Sequence, residues 1–132
     1  MNVNFTVFID KILRGEKRQT IRRASPKWAN VKPGDKLTLY AGLRTKQCRK
    51  LGEARVWKIA KILMCPTDET ILIPSDLGEY ITITGDEVFR IALLDGFYSL
   101  NDFWSFFRVH YGDNALEMNI IRWCDFKVED RK

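Results

Sequence analysis

A short basic segment contains the residues of this chain that are best suited to chemistry. Residues 15–23 read GEKRQTIRR, with one lysine, one threonine and three arginines. So much positive charge in one place favours an anionic or electron-rich partner. The segment lies between an apolar stretch and a proline-containing loop, so we expect it at an edge between two elements, where functional residues often lie. A solvated basic edge, with Ile21 as its only core contact, explains the residue types equally well.

The spacing of Lys17 and Thr20 limits how these two residues can act together. In a continuous strand alternate residues share a face, so Lys17 would lie on the face of Ile21, away from Thr20. A helical turn would instead bring the two side chains together, because residues three apart are neighbours there. A Lys17–Thr20 pair therefore requires a turn before the strand that begins near Thr20. Gly15 can end the preceding helix in the left-handed conformation.

Three candidate residues lie outside this segment. Asp95 follows a predicted helix end and is the best acidic candidate, although Asp-Gly is also an ordinary turn pair. Trp28 could offer a stacking surface for a base, but we favour the interpretation that it covers the end of a barrel. His110, near the end of an aromatic helix, is interpreted as structural.

Composition and charge limit the classes of function. The chain has 132 residues and a net charge of +5, with three widely spaced cysteines. We expect one domain over residues 1–132, reduced thiols and a cytoplasmic location. No apolar run approaches the ~20 residues of a membrane span. Residues 1–61 carry a net charge of +12 and residues 62–132 a net charge of −7. The first half therefore has the charge to bind an anion, although attraction between the halves would also explain the asymmetry.

The pattern of apolar residues predicts an α+β fold in which many short strands form a small closed or nearly closed barrel with flanking helices. A helix over 84–94 begins at a capping box of Thr84 and Glu87, and the next helix begins at Ser99 and ends before Gly112. A further helix is predicted over 6–14, and strands over 36–40, 52–64, 70–73, 80–83 and 118–126. Trp57 interrupts the alternation of the second of these strands, so we expect a bulge or a bend there. The helix beginning at Ser99 is so aromatic that we assign its rings to the core.

Together, three motifs resemble the ASCH domain of the PUA-like superfamily. They are residues 15–22 (GEKRQTIR), residues 32–35 (KPGD), which lead into a strand, and residues 95–100 (DGFYSL), which open a helix. The resemblance extends in order from about residue 5 to residue 126. It implies a PUA-like β-barrel with flanking helices, a cleft beside the barrel and a link to RNA recognition. No P-loop, dinucleotide motif or metal-ligand spacing is present, so we expect no cofactor and no metal.

The resemblance also implies roles for individual residues. One branch of the family removes the acyl group from acetylcytidine with a lysine, a threonine and a distant glutamate. These fall on Lys17, Thr20 and Asp95, and the last of them is an aspartate where that branch has glutamate. With Arg18 and Arg22 beside it, Lys17 should have a lowered pKa and could act as a general base. Asp95 would orient the lysine or the substrate amine, and arginine would stabilise the oxyanion.

Two main functions follow from these expectations. The first is binding of RNA or a modified pyrimidine nucleoside in a basic cleft, without a membrane partner. The second is an amidohydrolase acting on N4-acetylcytidine; a weaker alternative is a single-strand ribonuclease. The residues expected to contact the ligand are Arg18, Arg22, Arg23, Trp28, Arg44 and Lys46.

Overall fold

A computed structural model describes residues 1–129, and over this range seven strands and three α-helices form an α+β fold. The elements in chain order are β1 (Asn2–Phe5), α1 (Ile9–Leu13), β2 (Gln19–Arg23), β3 (Lys36–Ala41), β4 (Arg49–Cys65), β5 (Thr70–Pro74), β6 (Tyr80–Ile83), α2 (Gly85–Asp95), α3 (Leu100–Tyr111) and β7 (Leu116–Val128). A 3₁₀ turn, Pro26–Trp28, follows β2. None of the described helices has the length and apolar character needed to cross a bilayer.

The long strand β4 organises the sheet. Along one edge it pairs antiparallel with β7, from Gly52 opposite Val128 to Met64 opposite Leu116. Its other edge pairs with β3 at one end and with β5 at the other. The remaining strands extend this sheet, because β1 runs parallel to β3, β2 pairs with β7 and β6 pairs with β5. The β4–β7 register shifts around Trp57, which confirms the predicted bulge.

The predicted barrel is confirmed only as a sheet with flanking helices. Within residues 1–129, β1 and β2 pair with one neighbour each and not with one another, so the sheet remains open between them. Whether two edge strands meet depends on the twist of the whole sheet, which strand patterns do not specify.

Two apolar clusters hold the sheet and helices together. One packs α2 and α3 on the sheet and contains Phe103, Trp104 and Phe107, so the aromatic residues of α3 are core residues as predicted. The other lies beneath β1, β3 and β4 and contains Leu37 and Trp123. Burial of large apolar side chains of this kind stabilises each by roughly 1.5–3 kcal/mol relative to exposure.

The ends of the helices follow local chemistry with two exceptions. Ser99 Oγ accepts a hydrogen bond from the Asp102 amide at 3.0 Å, as expected for an N-cap. Thr84 occupies the N-cap position of α2, but its side chain makes no capping bond, because Gly85 turns the chain with φ of 52°. The helix predicted over 6–14 begins only at Ile9, because Phe8 adopts a left-handed conformation with φ of 61°.

Strands β4 and β7 approach each other closely at Gly52. A Cβ atom at this position would lie 2.2 Å from the carbonyl oxygen of Lys127 and 2.7 Å from the ring of Phe126. We therefore expect Gly52→Ala to lower the free energy of unfolding by about 2–3 kcal/mol, because both strands must shift. Gly78→Ala is the control, since a Cβ there meets nothing within 4 Å and only backbone strain, about 1–2 kcal/mol, is added. Urea denaturation measures both, and equal losses would contradict the prediction.

Candidate functional site

A cavity of about 180 Å³ lies beside the opening between β1 and β2. We call it the β1–β2 cavity. Its walls come from three parts of the chain: the end of β1 with the residues after it, strand β2 with Lys17 just before it, and the interhelical turn with the last turns of α3. The polar side chains among its lining residues are Asn4, Thr6, Lys17, Thr20, Arg22, Asp95, His110 and Tyr111.

A tight turn places Lys17 in the same cavity as Thr20. Gly15, with φ of 78°, ends the turn after α1. The amides of Glu16 and Lys17 then both donate to the carbonyl of Lys11, at 2.9 and 3.1 Å. The chain becomes a strand only at Gln19, so Lys17 is free of the alternation that would have pointed it away from Thr20. The turn lies before Lys17 rather than across residues 17–20 as expected, and it leaves the side chains of Lys17 and Thr20 lining the same cavity.

The segment before β2 binds the C-terminal end of α2. The last carbonyls of a helix lack partners within the helix and carry partial negative charge. Here the amide of Arg18 donates to the carbonyl of Leu94 at 3.0 Å, and Lys17 Nζ donates to that of Asp95 at 2.5 Å. Gln19 Nε2 donates to a carbonyl of the preceding turn at 3.1 Å. The basic segment thus satisfies the helix end, which is a structural reason for its composition.

Lys17 and Asp95 form a buried pair in which burial opposes both charges. Each residue is 4% exposed, and Lys17 Nζ lies 3.6 Å from Asp95 Oδ2. Burial lowers the pKa of Lys17, and nearby Arg22 lowers it further, while Asp95 raises it. Burial likewise raises the pKa of Asp95, against the opposing effects of Lys17 and of a hydrogen bond from Gln19. Burial is therefore the main cause of the lowered lysine pKa, rather than the neighbouring arginines that the sequence suggested.

Arg22 connects the two sides of the opening and holds Thr20. Its Nε donates to Thr20 Oγ1 at 2.9 Å, and its Nη2 donates to the carbonyl of Asn4 on β1 at 2.6 Å. The guanidinium also lies 4.9 Å from the centre of the Phe5 ring. Because Arg22 uses an acceptor lone pair of Thr20, the threonine hydroxyl keeps its proton to donate. A cation beside this oxygen also favours any negative charge that develops on it.

Aromatic rings form much of the remaining wall. Lys17 Nζ lies 5.6 and 5.7 Å from the centres of the Phe5 and Phe8 rings. On the α3 side, His110 stacks on Phe106 with ring centres 4.1 Å apart, and its Nδ1 lies 2.8 Å from the carbonyl of Phe106. The structural role expected for His110 is thus present, and the residue also lines the cavity.

Of the six residues expected to contact ligand, only Arg22 lines the cavity. Arg18 lines a different cavity, beside the exposed Trp57, because its amide binds α2 and turns its side chain outward. Arg23 is exposed at the last position of β2. Trp28 is only 5% exposed, because its 3₁₀ turn places the indole in the second core, and it cannot serve as a stacking platform. Its burial agrees with a structural role, but the sheet of residues 1–129 is not closed into a barrel whose end Trp28 could cover.

The loop over residues 42–48 approaches the cavity from its other side. Asn4 Oδ1 accepts a hydrogen bond from the amide of Leu43 at 2.8 Å, which fixes the loop to a residue that lines the cavity. Arg44, the next residue, is exposed and lies near enough to Lys27 to affect its pKa. Lys46 is exposed at the far side of the loop and does not line the cavity.

Sequence reasoning missed several residues that support the site. Gln19 is fully buried and donates to Asp95 Oδ1 at 3.2 Å. Its own Oε1 accepts from Arg122 Nε on β7 at 2.9 Å. The sequence did contain a clue to Gln19, namely a polar side chain within a strand, on the same face as the apolar Ile21. A buried amide needs several hydrogen-bond partners, so such a residue is expected to contact other polar side chains. Asn4 gave no such signal, since its role depends on β1 lying next to the 42–48 loop.

Loss of the Lys17 amine should destabilise the fold as well as alter the site. At neutral pH we expect Lys17→Met to lower the free energy of unfolding by about 3 kcal/mol, since it leaves Asp95 buried without its partner. The double variant Lys17→Met with Asp95→Asn should lose less, because no unpaired charge remains and only the bond to the helix end is missing. Chemical denaturation of the three proteins measures this. Wild-type stability of the single variant would show that the pair does not contribute.

Comparison with known proteins assigns no function to the cavity. A scan against known protein families finds no match for this chain, and no curated protein matches it at a significant level. In the part of the chain that the structure describes, no group of three or more His, Cys, Asp or Glu side chains is arranged to hold a metal ion. The cavity offers for chemistry the Lys17 amine, the Thr20 hydroxyl, the Asp95 carboxyl and the Arg22 guanidinium, together with the His110 imidazole and the Tyr111 phenol.

Proposed function

We propose that this chain is an ASCH-type domain of the PUA-like superfamily that binds a modified pyrimidine nucleoside, free or within an RNA strand, in the β1–β2 cavity. One observation carries the proposal: two motifs that are distant in sequence, 15–22 and 95–100, supply Lys17, Thr20, Arg22 and Asp95 to the same cavity. In this proposal the sheet corresponds to a PUA-like barrel that remains open between β1 and β2. The Arg22 guanidinium spans that opening through the Asn4 carbonyl.

The composition of the cavity supports a planar, polar ligand. Phenylalanine rings beside buried donors and acceptors suit a base, which has apolar faces and a hydrogen-bonding edge. A volume of about 180 Å³ is small beside the roughly 300–1,000 Å³ of pockets for drug-sized ligands. It suits one ring and a small substituent, with the rest of a nucleoside outside. Lys17 and Asp95 offer both a donor and an acceptor to such an edge.

Adjacent arginines on β2 give a matched test of binding. Arg22 lines the cavity, whereas Arg23 is exposed beyond it. We expect N4-acetylcytidine to bind the wild type, measured by calorimetry, and Arg22→Ala to weaken binding by about 1.5–3 kcal/mol, the usual contribution of a hydrogen bond to a charged group. Arg23→Ala removes the same charge and should leave the affinity unchanged. Circular dichroism checks that Arg22→Ala remains folded, and equal affinities would remove the β1–β2 cavity as the site.

A second candidate function is hydrolysis of the N4-acetyl group, and the state of Lys17 favours it. A lowered pKa gives a larger neutral fraction of the amine, which can then accept a proton. Asp95 Oδ2 lies within ion-pair distance of Lys17 Nζ. This supports a role for the aspartate in place of the family's longer glutamate.

The residues can perform the reaction in two balanced halves. Neutral Lys17 takes the Thr20 hydroxyl proton as Thr20 Oγ1 attacks the acetyl carbon, and Arg22 stabilises the negative charge that develops on oxygen. The carbon–nitrogen bond then breaks, and Lys17 returns the proton to the leaving amine, which releases cytidine. Water next attacks the threonine ester with Lys17 again as base, which releases acetate and restores the hydroxyl. Direct attack by a water that Lys17 deprotonates gives the same products in one stage.

The pH dependence of turnover tests Lys17 as the base. Cytidine release, followed by chromatography, should rise with pH and level off above the Lys17 pKa, which lies below the ordinary 10.5. Asp95 raises that pKa, so Asp95→Asn should move the rising limb to lower pH even if the maximum rate falls. Lys17→Ala should abolish the rise. A rising limb that moves to higher pH in Asp95→Asn would contradict this assignment.

The remaining alternative is a single-strand ribonuclease, and parallel reactions with single-stranded RNA distinguish it from the other two functions. A ribonuclease would shorten the strand, whereas an amidohydrolase would leave its length unchanged and remove only the acetyl group. A binding domain would do neither, and its affinity for the strand would fall steeply with salt, because phosphate contacts release counterions.

A further inference from the structure

Three positive side chains gather at the side of the β1–β2 cavity nearest the 42–48 loop. Arg22 comes from β2, Lys27 from the 3₁₀ turn after it, and Arg44 from the loop after β3. Arg22 lines the cavity, while Lys27 and Arg44 are exposed. Partial burial lowers the pKa of Lys27, and the charges of Arg22 and Arg44 lower it further, so Lys27 lies within electrostatic range of each of the two arginines.

Asn4 fixes the relative position of two of these parts. Its carbonyl oxygen accepts from Arg22 Nη2 at 2.6 Å, and its side-chain oxygen accepts from the amide of Leu43 at 2.8 Å. The residue after Leu43 is Arg44, which has a left-handed backbone with φ of 69°. Asn4 itself lines the cavity. One residue of the cavity wall thus holds one of the three cations and the loop that carries another.

Within residues 1–129 none of the three cations forms an ion pair with a carboxylate, although the charge of the buried Asp95 acts on Arg22. Over residues 1–129, no carboxylate oxygen lies within 4.0 Å of the charged nitrogens of Arg22, Lys27 or Arg44. Elsewhere on the surface, cations such as Lys50 and Arg108 are paired with glutamates. Like charges held together without an anion repel one another, and a bound phosphate would convert that repulsion into charge-assisted hydrogen bonds.

We propose that Lys27 and Arg44, together with Arg22, form a phosphate subsite beside the β1–β2 cavity. The ligand would then be a phosphorylated pyrimidine nucleotide rather than a free nucleoside; this inference rests on the proposed function of the cavity. The base occupies the cavity among Lys17, Thr20 and Asp95, and its phosphate lies outside between the turn and the loop. Arg22 is the link between the two, because it lines the cavity and also belongs to the cationic group.

The phosphate could belong to a mononucleotide or to an RNA strand, and the test distinguishes the two. We would measure affinities for N4-acetylcytidine, for its 5′- and 3′-monophosphates and for a short single-stranded RNA that contains the modified base. The variant is Lys27→Ala with Arg44→Ala. Its control is Lys58→Ala with Arg90→Ala, which removes the same charge from two exposed positions on β4 and α2. A titration with inorganic phosphate, followed by the amide signals of Leu43 and Arg44, tests the subsite without any nucleoside.

We expect one monophosphate to bind about tenfold more tightly than the nucleoside at low salt. The Lys27 and Arg44 variant should lose this preference while its affinity for the nucleoside stays constant, and the control should keep it. If the RNA binds more tightly than both monophosphates and the variant loses this difference, the phosphate belongs to an RNA strand. A monophosphate that equals the RNA would identify a mononucleotide.

Other outcomes separate this inference from the function on which it rests. Equal affinities for nucleoside and monophosphates, with no response to inorganic phosphate, would overturn the subsite and leave the base site intact. A response to inorganic phosphate that disappears in the variant, without binding of any nucleoside, would retain the subsite and reject the proposed function. No response to phosphate and no nucleotide binding would reject both.

Discussion

The rest of the site depends on which groups donate hydrogen bonds to the last backbone carbonyls of α2. The helix ends at Asp95 beneath the sheet, where its last carbonyls are removed from water and need donors. The chain before β2 provides them through the Arg18 amide and the Lys17 amine. A second lysine, Lys11, donates to the next carbonyl, that of Gly96. This contact joins two parts of the chain that are almost eighty residues apart, and it fixes the Lys17 amine beside a carboxylate in a wall of the cavity.

The same contact explains why the chemistry of Lys17 differs from that of a surface lysine. A helix end and a carboxylate both favour the ammonium form, while burial among Phe5 and Phe8 favours the amine. The balance of these effects sets the protonation state of Lys17. Small changes in its surroundings, such as a ligand that excludes water, can therefore change that state. A basic segment that serves only the fold would not need Thr20 and Arg22 on the open side of the lysine. Their presence in the cavity wall supports the proposal that the segment does more than satisfy the helix end.

Local patterns in the sequence predicted most of the local structure, although the capping bond of Thr84 and the start of α1 were wrong. The other failures involve long-range contacts. The Ser99 cap, the bulge at Trp57 and the core role of the α3 rings were correct because neighbours in sequence decide them. Strand β1 was missed because four residues form a strand only beside the edge of β3. Lys17 and Asp95 could be placed together only through the resemblance. Gln19 and Arg122, which support Asp95 from β2 and β7, could not, because their contact depends on strand register.

The opening between β1 and β2 has a consequence for how a ligand could enter. Backbone pairing between these strands would close the sheet and leave no access for a base from this side. A side-chain bridge from Arg22 to Asn4 holds the strands at a distance instead, and a side chain can change rotamer without breaking a ladder of hydrogen bonds. Arg22 therefore has three roles: it spans the opening, it binds the Thr20 hydroxyl, and its charge acts on Lys27. Replacing it by lysine would keep the charge but lose the planar fork that makes the first two possible together.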